Sequence, residues 1–218
     1  MKMKTNEGKT ATAAKKTVTK KQAKTAVQPK AGRSGKKEVN TEEQPKTKGL
    51  VIVITGDGKG KTTSAFGQAL RAVGQGYNVL IVQFMKGRKY GEFKAAKEYL
   101  PNLTVKLVGL DSFVMRDNPA PIDVEMAQKG FDFVKKAIKS GKYNMIIMDE
   151  LNVAMDFKLV DTKEVIEMIE NRPLGVDLIM TGRNAPAEII AIADTVSEVK
   201  EIKHHYAAGI KDRAGIEF

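Results

Sequence analysis

Between residues 50 and 202, short apolar runs alternate with stretches whose apolar residues recur every three or four positions. The runs at 50–54 (LVIVI), 78–84 (NVLIVQF), 104–110, 145–148 (MIIM), 177–181 (DLIMT) and 195–202 are too short for helices and rich in β-branched residues. They predict strands, most of them buried on both faces. Helical periodicity follows position 61, with Phe66, Ala69, Leu70 and Val73 on one face, and returns at 91–99 and 122–139. In the last of these, Met126, Phe133, Val134, Ala137 and Ile138 are expected to face inward, and Ser140-Gly141 ends the helix. Asp161 followed by Glu164 predicts a helix start that runs to 171, and 186–193 a further helix. Strands separated by helices predict an α/β fold, a mainly parallel sheet covered on both faces.

The first strand leads into a turn with Gly56, Gly58 and Gly60, and Lys61-Thr62-Thr63 then open the helix. Strand, glycine turn, Gly-Lys-Thr and helix together form a phosphate cradle. Backbone N–H groups and the positive helix end face the anion, the lysine neutralises it, and the threonine hydroxyl can hold Mg²⁺. The loop is one residue short of the usual spacing, because Thr55 stands where the first glycine would fall. About 90 residues later the MIIM strand delivers Asp149 and Glu150 at its carboxyl end. Two acids there complete a Mg²⁺ shell beside the loop threonine, or else cap the helix that follows. Bottom-up, these parts bind a Mg–nucleoside triphosphate.

Charge adds little to the folded part. The net charge is +11, but residues 1–48 carry 14 Lys/Arg against 4 acids, and residues 49–218 carry 23 against 22. The first 48 residues hold almost no large aliphatic side chain, which predicts a disordered basic tail capable of nonspecific polyanion contacts. The absence of cysteine excludes disulfides and thiolate metal sites. No signal peptide or membrane span is evident, so a cytoplasmic protein is expected. The segment 111–121 (DSFVMRDNPAP) is irregular and predicts an exposed loop bearing Phe113, Val114 and Met115. Arg71 falls on the first helix, as a ligand or a solvated charge, and His204-His205 stay unassigned. A hydrolytic ATPase associated with nucleic acid and a nonhydrolytic ATP-binding module are alternatives that the residues leave open.

The segments GDGKGKTTSAFGQALRAVGQGYNVLIVQFMKG, MDEL, TGRNAP, ADTVSEV and KHHYAAGIKDRAGIEF occur in that order. Together they resemble the ATP:corrinoid adenosyltransferases of the CobA/CobO/BtuR type, from about residue 49 to the end and including the shortened loop. The resemblance implies a P-loop NTPase-like (RecA-like) fold and transfer of the 5′-deoxyadenosyl group of ATP to the Co(I) of a reduced corrinoid, with triphosphate leaving. It implies that Asp57, Gly58, Lys59, Gly60, Lys61, Thr62 and Thr63 wrap the triphosphate, with Arg71 a further ATP contact. Lys61 would neutralise the leaving group, and Thr62 and Glu150, with Asp149 as a further candidate, would hold Mg²⁺. Phe113 would stand at the corrinoid, displacing its lower axial ligand, while Met115 occupies the place expected for a tryptophan. A homodimer and an electron donor of the flavodoxin type are implied partners.

Overall fold

The computed structural model describes residues 47–218, and the basic tail, but for its last two residues, lies outside them. Six strands form one sheet: β1 (Val51–Thr55), β2 (Val79–Phe84), β3 (Leu103–Val108), β4 (Met145–Asp149), β5 (Asp177–Thr181) and β6 (Thr195–Glu198). Their order is β3-β2-β4-β5-β1-β6, and every pairing is parallel. The central strands are buried because they alternate between two apolar layers. Leu80, Val82, Phe84, Ile146 and Met148 belong to one core, and Val79, Ile81, Met145 and Ile147 to the other.

Helices α1 (Lys61–Gly74) and α2 (Gly91–Tyr99) contribute to the second core, through Ala65, Ala69, Ala72 and Ala96. Helices α3 (Pro121–Lys139), α4 (Leu151–Asp156), α5 (Thr162–Glu170) and α6 (Ala187–Ile192) line the first. This is the α/β architecture that the strand–helix alternation predicts.

Four details differ from the sequence expectation. In α1 the buried face is Lys61, Ala65, Ala69 and Ala72; Phe66 and Val73 are half-buried and Leu70 is exposed. The glycine loop delivers this helix against the sheet, so small side chains take the contact face. Similarly, α3 buries Ala127, Gly130 and Phe131, while Met126 and Phe133 are only half-buried. A Cβ on Gly130 would meet Val108 at 2.4 Å, so close helix–sheet packing fixes this face. Third, β6 ends at Glu198 and all four of its residues are exposed, because it is an edge strand paired only with β1. The chain beyond it turns to follow the phosphate loop. Fourth, Val114 is buried in the core while its neighbours Phe113 and Met115 are exposed. The helix start expected at Asp161 is found: Asp161 caps α5, accepting from the Lys163 N–H, and Glu164 pairs with Lys135 on α3.

Candidate functional site

The carboxyl ends of the parallel strands open into one cleft of about 1320 Å³, where open α/β sheets place their ligands. Its floor is the loop from Asp57 to Thr63. The glycines of this loop have a second reason besides phosphate approach. A Cβ on Gly56 would stand 2.5 Å from the Val199 carbonyl oxygen, and one on Gly58 2.7 Å from Lys200 backbone atoms. The Gly58 N–H donates to the Val199 carbonyl at 2.8 Å, so the chain leaving β6 braces the loop from outside. Thr55, in place of the usual glycine, accepts from the Ala185 N–H and ties the loop to the segment after β5.

Lys61 folds back over this loop, its ammonium donating to the Gly58 carbonyl at 2.8 Å. Burial lowers its proton affinity, an effect that Glu150 opposes and Arg183 reinforces. A phosphate placed in the loop supplies the missing counter-charge. Arg183, at the end of β5, lies 3.6 Å from the Asp57 carboxylate and also donates to its backbone carbonyl.

Asp149 ends β4 fully buried and receives four side-chain donors. The Thr62 and Thr181 hydroxyls donate to Oδ1 at 2.9 and 2.7 Å; Gln83 Nε2 and Lys86 Nζ donate to Oδ2 at 3.0 and 2.8 Å. Burial alone would raise its pKa, but the Lys86 charge and these bonds hold it below the usual carboxylate range. Glu150 follows in the left-handed region, at φ 62°, with its N–H on the Thr181 hydroxyl. No protein donor reaches its carboxylate among the described residues, and burial together with Asp149 raises its pKa. Hard oxygen donors from Thr62 and Glu150, one of them a carboxylate that no protein hydrogen bond reaches, fit a magnesium ion. Asp149, saturated by protein donors, fits as a direct ligand only if one donor leaves.

The same cleft is also walled by Phe113, 92% exposed, with Arg116, Phe157 and Asn184. The Asp156 carboxylate joins this wall, accepting from Arg116 at 2.7 Å and from Asn184 at 2.9 Å. The carboxyl-terminal segment closes one rim: Lys59 donates to the Ile216 carbonyl and pairs with Glu217, which also faces His205 at 3.3 Å. His205, Asp212 and Glu217 cluster there, with the Lys59 ammonium against Glu217.

The cleft thus gathers Asp57, Gly58, Lys59, Gly60, Lys61, Thr62, Thr63, Glu150 and Phe113, while Asp149 lies in its floor. It does not gather Arg71, which is exposed on the last turn of α1. Lys86, in the basic loop 85–89 after β2, and Arg183, after β5, also line the cleft. Sequence reasoning missed Gln83, Thr181 and Asp156. The signal for the first two was a polar residue near the carboxyl end of an otherwise apolar strand.

The family model described as ATP:corrinoid adenosyltransferase BtuR/CobO/CobP matches residues 47–218. A corrinoid adenosyltransferase of a Sinorhizobium species is 35% identical over 173 residues, 78% of this chain and 81% of the relative. The Escherichia coli K12 corrinoid adenosyltransferase is 34% identical, and the Salmonella typhimurium corrinoid adenosyltransferase CobA 36% identical. Each of these two alignments covers 78% of this chain and 86% of the relative.

Proposed function

The chain belongs to the ATP:corrinoid adenosyltransferase family, and from that premise we propose how its cleft carries out the adenosylation of a corrinoid. The enzyme uses ATP and a corrinoid as substrates; a nucleic-acid-associated ATPase is not favoured. The observation that carries the residue assignment is that one cleft joins a phosphate loop to a wall bearing an exposed aromatic side chain.

In this reading the triphosphate lies in the loop 57–63, held by backbone N–H groups and by the N-terminus of α1. Lys61 leaves the Gly58 carbonyl and meets the phosphate oxygens. As the Co(I) nucleophile of the substrate attacks the 5′ carbon, the C–O bond breaks and negative charge collects on the departing triphosphate. Lys61 and Arg183 face that charge in a partly dehydrated site, where fixed cations act most strongly. A magnesium ion held by Thr62 and Glu150 would supply further charge neutralisation to the phosphates. The nucleophile comes with the corrinoid, so the protein contributes position and charge.

Phe113 supports placement of the corrinoid on the 111–116 wall. An exposed aromatic ring there meets one face of the macrocycle and keeps water from the axial position of the metal. Arg71 enters only as a contact made outside this cleft. A homodimer, a flavodoxin-type electron donor and a cytoplasmic setting complete the proposal; no helix among the described residues is long and apolar enough to cross a membrane.

Inorganic triphosphate tests the residue assignment. It should inhibit competitively against ATP, and Lys61→Ala should relieve that inhibition by at least tenfold. Noncompetitive inhibition, or an unchanged inhibition constant in Lys61→Ala, would place the phosphates elsewhere.

A further inference from the structure

Lys86 lies at the end of β2, in the basic loop that the proposed chemistry leaves without a role. Its ammonium is 2.8 Å from Asp149 Oδ2 and 3.4 Å from the Thr62 hydroxyl oxygen. These are the oxygens beside which the phosphate loop would seat its metal. A magnesium ion bonded to Thr62 at about 2.1 Å would lie no more than about 5.5 Å from this ammonium, whatever its direction. Two cations that close repel each other in a partly buried site, so metal and ammonium disfavour one another there.

The four donors on Asp149 also differ in their freedom. Two carboxylate oxygens offer about four acceptor sites, so a metal gains access only by displacing a donor. Gln83 and Thr181 are almost wholly buried on their strands, and Thr62 is anchored in the first turn of α1. Lys86 alone combines a long flexible stem with a partly exposed side chain, and it lines the same cleft as the phosphate loop. Its compact ammonium has three donors and can turn toward the phosphates without leaving the cleft.

We infer that Lys86 is a tethered cation that occupies the metal position of the nucleotide-free enzyme and moves onto the triphosphate when the divalent ion arrives. This rests on the metal assignment to Thr62 proposed above. The ammonium keeps the buried carboxylate paired while the site awaits its ligand, and afterwards becomes a second phosphate-binding lysine beside Lys61. Metal entry and phosphate capture are thereby linked through a single side chain.

Manganese binding, read from the loss of the free-ion electron paramagnetic resonance signal, tests this without turnover. In the absence of nucleotide, Lys86→Met should bind Mn²⁺ at least tenfold more tightly than the parent. With Mn²⁺ at a concentration that saturates both proteins, it should bind tripolyphosphate at least tenfold more weakly by calorimetry. Lys86→Gln, whose amide still donates to Asp149, should show both changes if the methionine variant folds poorly. Unchanged or weaker Mn²⁺ binding in a folded Lys86 variant overturns the inference. If Thr62→Ala still abolishes Mn²⁺–ATP binding in the otherwise unaltered protein, the metal assignment survives that failure. Binding insensitive to Thr62→Ala overturns both.

Discussion

Asp149 and Glu150 are neighbours in the chain, yet they occupy opposite electrostatic surroundings. The Asp149 carboxylate is saturated by Thr62, Thr181, Gln83 and Lys86, whereas the Glu150 carboxylate meets no protein donor among the described residues. The break between them is the left-handed backbone at Glu150, with φ 62°. It turns one acid into the fold and the next toward the cleft.

This contrast predicts opposite pH behaviour. The lowered Asp149 pKa stabilises the fold above its ordinary value of 3.8, and that contribution is lost as pH falls through the folded-state value. The raised Glu150 pKa acts in reverse: stability declines as pH rises from the ordinary value of 4.5 through the folded-state value. Glu150→Gln should therefore raise the melting temperature at pH 7 without ligands, and the difference should vanish toward pH 4. Calorimetry across that range decides it; an equal or lower melting temperature at pH 7 would contradict the account. The same variant should weaken the dependence of turnover on Mg²⁺.

Asp149→Asn should be severe for stability, because it leaves the Lys86 ammonium without its carboxylate. Breaking a buried pair from one side costs about 3–5 kcal/mol. Denaturant titration should show this loss, and a change below about 1 kcal/mol would mean that the network contributes little.

Lys61→Ala should lower kcat a hundredfold to a thousandfold, the effect of about 2.7–4 kcal/mol associated with one group facing developing charge. The fold should persist, since the Lys61 side chain makes its hydrogen bond to a loop carbonyl rather than to the core. Steady-state kinetics with circular dichroism as control checks this, and near-normal kcat would contradict it.

Phe113 is 92% exposed, so Phe113→Ala should change stability by no more than about 0.5 kcal/mol. If the ring shields the corrinoid metal, the variant should be strongly impaired when assayed from Co(II) with a weak reductant. It should be less impaired from chemically prepared Co(I). Equal defects in both assays would remove that role.

Residues 1–45 precede the family match, which begins at residue 47, and carry most of the excess positive charge. Their deletion should leave turnover almost unchanged and weaken salt-sensitive binding to polyanions. Loss of turnover in a folded truncated protein would assign the segment an active part.

The strands and the phosphate loop were legible because their signals are local: an apolar run, a glycine turn, a lysine and threonine at a helix start. The helix faces were less so. Leu70 looked like a core residue by spacing, but the close approach of α1 to the sheet reserves that face for alanines. The end of β6 was misjudged because residues 199–202 alternate like a strand, although Val199 pairs with the backbone of the phosphate loop segment. Nothing local marks Gln83, Lys86 and Thr181 as one network. They converge on Asp149 only because β2, β4 and β5 lie side by side.

Product analysis under anaerobic, reducing conditions tests the central claim most directly. With Mg–ATP and a Co(I) corrinoid, phosphorus NMR should show one triphosphate released for each light-sensitive Co–carbon bond formed. ADP and phosphate appearing at a comparable rate, with no alkylated corrinoid, would contradict the account.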